Sequence, residues 1–390
     1  MSIWTSCRLL RWHVKIQPKS VNFNQAQPDV IIIAACARPY VFAAAQAGYN
    51  IAAFDIFDDA DTRRFCVYNS RVSFAHGGFD AQDLLQQLSE LDISRVQGVA
   101  YGSGFEGQPE LLAAIAQNMP LLGNTPQTLA QVKNPKCFYP LLDQLHIAHP
   151  EISLHAPSPQ DGWLIKSAGG SGGTHIRQSW QDIGLDDYFQ RQVTGRSISI
   201  LFLANGHDIQ VVGINEQWCS PTAHMPYRYG GAVSHIALAA EVRDEMEAAA
   251  RNITAKVGLQ GLNSADFILT EHGLLLLEIN PRLSATMDLY PMPDLFERHV
   301  QACRGKLTPS RDDGDIAAKA HGILYAPQRL HIPEHFAWPD WTADIPHAGL
   351  IQQDTPVCTV FGQAALAGDA KVQCFARTLE LEAQLSAMSH

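Results

Sequence analysis

Two carboxylates and an amide, Asp266, Glu278 and Asn280, lie within a largely apolar stretch, NSADFILTEHGLLLLEINPR. If residues 271–273 form a three-residue hairpin loop with Gly273 in the left-handed conformation, Asp266 lies directly opposite Glu278. Asn280 follows Glu278 by two residues and therefore points to the same face of the sheet. The pattern predicts three oxygen-bearing side chains on one patch of a hairpin.

This patch suits a divalent cation. Carboxylates placed directly opposite each other repel, and a cation between them removes the repulsion. Oxygen ligands on a rigid sheet favour Mg²⁺, with Mn²⁺ as a substitute, and a small protein ligand set leaves room for phosphate oxygens. An exposed hairpin face with ordinary surface carboxylates is the alternative. The opposite face is predicted to be apolar and to consist of Ala265, Phe267, Leu269, Leu275, Leu277 and Ile279.

A glycine-rich loop follows a lysine in WLIKSAGGSGGTHIR, where Lys166 ends a short apolar run that is typical of a strand. Glycine reaches left-handed conformations, so such a loop can turn backbone N–H groups towards phosphates while the lysine neutralises their charge. No Gly-Lys-Ser/Thr follows, so the loop is not a Walker A motif. A flexible surface loop is the alternative. The candidate phosphate contacts in the loop are Gly169, Gly170, Ser171, Gly172 and Gly173.

Short apolar runs alternate with helical segments in the first third of the chain, and this alternation predicts a parallel sheet. Residues 29–130 therefore form an α/β domain in this interpretation. The loop YGSGFEG at residues 101–107 follows one predicted strand and either contacts substrate or simply turns the chain. Residues 1–28 carry basic but no acidic side chains, and we expect a disordered extension there.

The rest of the chain divides into two further regions. Residues 131–305 contain a strong Asn-Gly hairpin signal at Asn205 and the acidic strands described above, which predicts an α+β domain with antiparallel pairing. A polar segment then precedes residues 316–390, which are predicted to form a small β-rich domain that ends in a helix near residues 379–388.

Composition narrows the function. The formal net charge is −11, which disfavours binding to nucleic acid because the phosphate backbone is also negative. No apolar run approaches the roughly 20 residues that span a bilayer, so we expect no membrane insertion and a cytoplasmic location. Eight scattered cysteines without a Cys-x-x-Cys pair argue against a zinc site or a disulfide framework.

The order of these features resembles the ATP-grasp superfamily. The matching pieces are Lys136 in NPKCFYPLLDQLHIAHPE, Lys166 with its glycine loop, the hinge FQRQVTGRSIS, Asp266, and EINPR, which ends at Arg282. The resemblance implies an ATP-grasp fold with an N-terminal Rossmann-like domain and a small C-terminal domain. The segments KAHGILYAPQRL and TPVCTV further resemble predicted carboligases related to biotin carboxylase.

The resemblance also implies roles for individual residues. Lys136 and Lys166 would contact the ATP phosphates, with the glycine loop folded over them. Asp266, Glu278 and Asn280 would hold Mg²⁺, and Arg282 would steady the transferring phosphoryl group. Backbone groups of the hinge would bind adenine; these residues are Gln190, Arg191, Gln192 and Val193.

We therefore expect an ATP- and Mg²⁺-dependent ligase that activates a small-molecule carboxylate as an acyl phosphate and joins it to an amine. By analogy alone, the product would belong to the biosynthesis of methanopterin- or methanofuran-type one-carbon cofactors. One alternative is a carboligase that activates bicarbonate, and another is a non-catalytic ATP-binding protein. A homodimer is the assembly considered.

Overall fold

The computed structural model describes residues 27–75, 77–308 and 317–388. Most of the predicted N-terminal extension lies outside these residues. No helix in the described ranges combines the length and the apolar character needed to cross a membrane.

The first region is an α/β unit, as predicted. Its five-stranded parallel sheet has the order β3-β2-β1-β6-β7, and all four residues of β1 are fully buried because helices cover both faces. Proline in the first turn begins α1, and Thr125 caps α5 by accepting from the Thr128 N–H. The elements are β1 Val30–Ile33, α1 Arg38–Gln46, β2 Ile51–Asp55, α2 Ala60–Phe65, β3 Tyr68–Arg71, β4 Phe74–Ala75, β5 Gly78–Phe79, α3 Ala81–Ser89, β6 Val99–Tyr101, α4 Pro109–Ala116, β7 Leu121–Leu122 and α5 Pro126–Lys133.

The middle region contains a small four-stranded sheet, β10-β9-β11-β8, and most of a large antiparallel sheet. Gly258, in the left-handed conformation, ends the long helix α7. The elements are α6 Pro135–Gln144, β8 Ile152–Ser153, β9 Trp163–Ser167, β10 Ile176–Gln178, β11 Asp187–Arg191, β12 Arg196–Asn205, β13 Ile209–Cys219, β14 Tyr229–Ser234, α7 Ala240–Val257, β15 Gln260–Thr270, β16 Gly273–Asn280, a 3-10 helix Ala285–Leu289 and α8 Leu295–Cys303.

The C-terminal region continues the large sheet. Its strands extend that sheet to eight members in the order β16-β15-β12-β13-β14-β17-β21-β19. The terminal helix packs on these strands and is twice as long as the predicted one. The elements are β17 Ala318–Tyr325, β18 Leu330–Ile332, β19 Thr342–Ala343, β20 Gly349–Ile351, β21 Pro356–Ala364 and α9 Ala367–Ala387.

The β15–β16 hairpin corrects one part of the sequence interpretation. Thr270 pairs with Gly273, so the turn has two residues rather than the predicted three. A bulge at Leu277 then inserts one extra residue into β16, and this shift restores the predicted pairing of Asp266 with Glu278.

The apolar face of this hairpin changes accordingly. Leu274 and Leu276 are buried in the core with Ala265, Phe267 and Ile279, whereas Leu275 and Leu277 are half-buried. The prediction of Leu275 and Leu277 on that face was therefore wrong, because it assumed a regular strand with no bulge.

Candidate active site

The two carboxylates of the hairpin lie side by side, and each has polar partners of its own. Asn280 Nδ2 donates to Asp266 Oδ2 at 2.8 Å, and Gln217 Nε2 donates to Asp266 Oδ1 at 3.1 Å. The Lys133 ammonium donates to Glu278 Oε2 at 3.2 Å and to Asn280 Oδ1 at 3.1 Å. The structure therefore brings the three predicted metal ligands together, with one cation hydrogen-bonded to two of them.

That cation is Lys133, which sequence reasoning missed. Asn134 ends α5 and also caps α6, so the chain turns between Lys133 and Lys136. The turn directs the ammonium of Lys133 to the carboxylates and leaves Lys136, the predicted phosphate contact, exposed to solvent. The signal available in the sequence was the pair of lysines on either side of an Asn-Pro helix start.

The charge of the pair is uneven. Burial raises the pKa of Asp266 and the neighbouring Glu278 carboxylate raises it further. Against the effect of burial, the ammonium groups of Lys133 and Lys166 lower the pKa of Glu278. Glu278 thus carries the negative charge of the pair near neutral pH, and an added cation would favour ionisation of Asp266 as well.

The donor set fits Mg²⁺. It consists of two carboxylates and one amide oxygen on a rigid hairpin, and the Lys133 ammonium is hydrogen-bonded to Glu278 and Asn280. A structural zinc site would need three or four His, Cys, Asp or Glu ligands. Within the described ranges, no cluster of three or more such side chains is arranged for a metal.

Lys166 and Gln190 are buried partners on the small sheet. Lys166 on β9 is 4% exposed, and its ammonium donates to Gln190 Oε1 at 3.4 Å, while Gln190 Nε2 donates to the Tyr139 hydroxyl at 2.8 Å. Glu278, Lys133 and the glycine loop line a small cavity next to this pair, and the Lys166 charge is close enough to lower the pKa of Glu278. The predicted lysine therefore lies near one of the predicted carboxylates, Glu278.

The glycine loop is held closed over this cavity. A Cβ on Gly169 would lie 2.6 Å from the Gly107 Cα, and a Cβ on Gly173 would lie 1.9 Å from the Tyr227 carbonyl oxygen. The Tyr229 N–H also donates to the Gly172 carbonyl at 2.9 Å. The loop thus packs against the first region at Gly107 and against the middle region at Tyr227 and Tyr229, and only glycine fits at the two close approaches to backbone.

His175 lies beneath the loop and faces the cavity. A Cβ on Gly170 would lie 2.1 Å from its ring. Burial, with a further contribution from the Lys166 charge, lowers the pKa of His175 to about 4. The imidazole is therefore neutral at physiological pH and adds no charge beside the lysines.

The predicted hinge is only partly open to a ligand. The Arg191 N–H donates to the Glu151 carbonyl at 2.8 Å, and the Gln192 N–H donates to the Gly162 carbonyl at 2.9 Å. The Arg191 side chain stacks over Trp163 at the surface. Adenine binding by Gln190 to Val193 stays a prediction, and it cannot use these two N–H groups as they stand.

Arg282 has a buried partner that the sequence did not identify. Its Nε donates to Glu106 Oε1 at 3.0 Å and its Nη2 donates to Asn280 Oδ1 at 3.2 Å. Glu106 comes from the YGSGFEG loop of the first region, and its side chain is 2% exposed. That loop therefore positions the arginine beside the candidate metal ligands.

Comparisons with known proteins agree with this geometry. Residues 130–286 match the family model described as an ATP-grasp domain. No protein of curated function matches the sequence.

Solved structures share the fold at low identity. The chain resembles Rhizobium etli pyruvate carboxylase, with a TM-score of 0.70 and 14% identity over 92% of this chain; it spans only 39% of that protein. It also resembles Campylobacter jejuni biotin carboxylase in complex with an ATP analogue, with a TM-score of 0.68 and 12% identity over 89% and 90% of the two chains.

A third similar structure is N5-carboxyaminoimidazole ribonucleotide synthetase from Thermotoga maritima, with a TM-score of 0.64 and 12% identity over 90% and 98% of the two chains. These likenesses, which cover 89–92% of this chain, establish the fold.

Proposed function

We propose, on the premise that residues 130–286 make this chain a member of the ATP-grasp superfamily, that it is an ATP-dependent ligase joining a carboxylate to an amine. The ATP-grasp domain carries the ATP-dependent part of the function. That the two substrates are a carboxylate and an amine is what we propose beyond the ATP dependence.

The observation that supports it most is the proximity of opposite charges beside the glycine loop. Glu278 is paired with Asp266 on the large sheet and lines a cavity with Lys133 and the glycine loop, and the Lys166 charge is close enough to lower the pKa of Glu278. An arrangement of fixed carboxylates, fixed ammonium groups and a glycine-rich loop suits Mg²⁺-bound triphosphate.

In the proposed reaction, the substrate carboxylate attacks the γ-phosphate of ATP and gives an acyl phosphate and ADP. The amine then attacks the acyl carbon, inorganic phosphate leaves, and the amine gives up a proton. Lys166 and Lys133 would neutralise phosphate charge, and Arg282, held by Glu106, would face the transferring group.

Asp266, Glu278 and Asn280 would hold Mg²⁺, which supplies neutralisation of the phosphate oxygens when bound. The closed glycine loop would keep water from the acyl phosphate, because Gly169 and Gly173 pack directly against neighbouring backbone. No covalent nucleophile of the chain is needed.

A bicarbonate-activating carboligase is the second candidate. The likeness to biotin carboxylase over most of both chains favours it, although that likeness is at 12% identity. The proposal also includes a role in one-carbon cofactor biosynthesis, a cytoplasmic location and a homodimeric assembly.

Hydroxylamine trapping tests the proposal. The purified protein, Mg²⁺ and ATP are incubated with single carboxylates and hydroxylamine in place of the amine, and ADP and acyl hydroxamate are both measured. We expect hydroxamate in amounts equal to ADP for at least one carboxylate. ADP release with bicarbonate alone would favour the second candidate, and ATP binding without ADP release under any condition would contradict both.

Substitutions of two separate arginines, one in the site and one outside it, provide a matched comparison. Arg282→Ala should abolish hydroxamate formation, whereas Arg304→Ala, at an exposed arginine that contacts Gln97, should leave it unchanged.

A further inference from the structure

A second cavity lies where the three regions meet, away from the glycine loop. Its volume is about 460 Å³, within the range of small-molecule sites. Helices α1 and α2 of the first region form one side, and strands β17 and β21 with helix α9 form the other. Nothing in the proposed reaction uses this space.

The cavity has two cations without a carboxylate partner. The Lys319 ammonium donates to the Asp288 backbone carbonyl at 2.8 Å, and Arg377 Nη1 donates to the Phe361 backbone carbonyl at 2.6 Å. Neither side chain forms an ion pair with any residue that the structure describes. Burial lowers the pKa of Lys319, so its charge is held at a cost that an anion would offset.

The buried acids around the cavity already have partners. Asp288 pairs with Arg38 at 2.5 Å, and that guanidinium also binds Asp344 in a bidentate way at 3.0 and 3.1 Å. Asp61 accepts the backbone N–H groups of residues 344 and 345 at 2.8 and 2.7 Å. Asp340 also lines the cavity but is exposed to solvent, so the described lining cations without a carboxylate partner are Lys319 and Arg377.

Aromatic rings supply the remaining walls. The Lys319 ammonium lies 4.3 Å from the centroid of the Phe361 ring, and the Arg377 guanidinium lies 5.3 Å from the Trp341 ring. Phe42 and Phe65 face them from the first region. A flat apolar body suits such walls, and an anionic group attached to it would meet the two cations.

The register of the large sheet relates this cavity to the carboxylates. Residues paired in an antiparallel sheet share a face. The pairs Asp266–Ser199, Ser199–Asn215 and Asn215–Ser234 lead to Lys319, whose N–H donates to Ser234 Oγ at 3.0 Å. Four strand spacings of about 4.8 Å separate Lys319 from Asp266, roughly 19 Å in all.

We propose that this cavity is a second ligand site for an aromatic organic anion, with the anionic group at Lys319 and Arg377 and the ring against Trp341. The separation from Asp266 leaves two sources for such a ligand: the far end of an elongated substrate, or a separate effector. Both share this chemistry, and kinetics distinguish them.

The test uses 2-naphthoate as the probe, titrated calorimetrically into the full-length protein. We expect saturable 1:1 binding, and binding of the uncharged 2-naphthylmethanol at least about tenfold weaker, because a charge-assisted hydrogen bond to Lys319 is lost. Lys319→Met should weaken 2-naphthoate binding roughly tenfold and leave 2-naphthylmethanol binding unchanged.

Lys371→Met is the matched control, because Lys371 also lies over an aromatic ring, that of Trp218, but outside the cavity. It should not change binding of either probe. If Lys319→Met fails to fold by thermal denaturation, Arg377→Gln provides the same comparison. The proposal is overturned if 2-naphthoate does not bind the wild type at millimolar concentration, binds no better than the alcohol, or is unaffected by these substitutions.

Nucleotide binding is measured in the same samples and should be unchanged by Lys319→Met. Displacement of 2-naphthoate by MgATP would overturn the proposal, since it would put the probe in the nucleotide site. Competition of 2-naphthoate with a carboxylate or amine that supports ADP release would identify the cavity as part of the substrate site. A change in turnover without competition would identify an effector site, and both results require the binding that we propose.

Discussion

On one face of the eight-stranded sheet, β15 and β16 present two carboxylates, whereas β17, five strands from the β16 edge, presents Lys319 beside the ring of Phe361. Both groups are largely buried, yet they are balanced differently. The carboxylates meet the Lys133 ammonium and the Asn280 amide, while Lys319 meets only a carbonyl and an aromatic ring.

This difference in charge balance determines which ligand suits the carboxylate end, on β15 and β16, and which suits the cation end, on β17. At the carboxylate end, the two carboxylates and the amide offer several oxygen ligands, and the Lys133 ammonium compensates only part of their negative charge. A divalent cation therefore fits there. At the cation end, Lys319 and Arg377 have no carboxylate partner among the described residues, whereas Asp288 and Asp344 are paired with Arg38, so an anion fits. A single sheet thus holds two sites of opposite preference, and its register fixes the distance between them.

The largest effect should come from removing charge at the carboxylate end. Glu278→Gln should lower kcat by about 10³-fold, because the group that would hold Mg²⁺ is lost while the apolar core is untouched. The measurement is ADP release, with circular dichroism to verify folding. Glu271→Gln, in the exposed turn of the same hairpin, is the control and should keep full activity. Unchanged kcat in Glu278→Gln would remove that residue from the site.

A second effect concerns the arginine beside the carboxylates. Glu106→Gln should lower the free energy of unfolding by about 3 kcal/mol, since Arg282 would be left buried without its ionic partner. Urea unfolding measures it. Glu247→Gln breaks a surface pair with Arg251 and should change the free energy by less than about 1 kcal/mol. Equal effects of the two substitutions would show that the Glu106 pair is not specially buried.

Strand β17 also carries a buried histidine, two residues after Lys319. Burial lowers the pKa of His321 to about 4, with Asp288 opposing and Arg38 and Lys319 adding to the effect. In the unfolded chain this histidine has an ordinary pKa of about 6.5, so below that pH it binds a proton that it does not bind in the folded chain. The free energy of unfolding therefore falls as the pH drops from about 6.5 towards 4.

His321→Gln should therefore remove part of the pH dependence. Between pH 7.5 and pH 5, the free energy of unfolding of the wild type should fall by about 2 kcal/mol more than that of the variant. Urea unfolding at the two pH values measures the difference. Parallel pH profiles of wild type and variant would show that His321 is not kept neutral by its surroundings.

The smallest effect tests the closed loop. Gly169 and Gly172 both have positive φ angles, 72° and 64°, but a Cβ on Gly169 would strike Gly107 whereas one on Gly172 meets open space. Gly169→Ala should weaken ATP binding roughly tenfold more than Gly172→Ala, since both carry similar backbone strain and only one blocks closure. Calorimetric titration with an ATP analogue measures this, and equal affinities would argue that the loop does not close against Gly107.

Much of the architecture follows from local pattern in the sequence. The parallel α/β arrangement of the first region is correctly predicted from the alternation of short apolar runs and helical segments, because burial and helical periodicity act over a few residues. The pairing of Asp266 with Glu278 is also correct, but for an incomplete reason. Four consecutive leucines at 274–277 give no periodicity, so neither the two-residue turn nor the bulge could be inferred.

The unpredicted parts of the two sites depend on distant residues. Lys133 reaches Glu278 only because two helices meet at Asn134, and Glu106 reaches Arg282 from another region. The second cavity brings together α1, β17 and α9, which are far apart in the sequence. Composition and spacing carry no information about such approaches, which depend on how the packed regions meet.

The most direct measurement is a crystal structure of the protein with Mg²⁺ and a non-hydrolysable ATP analogue. We predict a metal ion within about 2.1 Å of carboxylate oxygens of both Asp266 and Glu278, bridging them to the phosphates beneath the glycine loop. A bound nucleotide whose metal ion contacts neither carboxylate would contradict it.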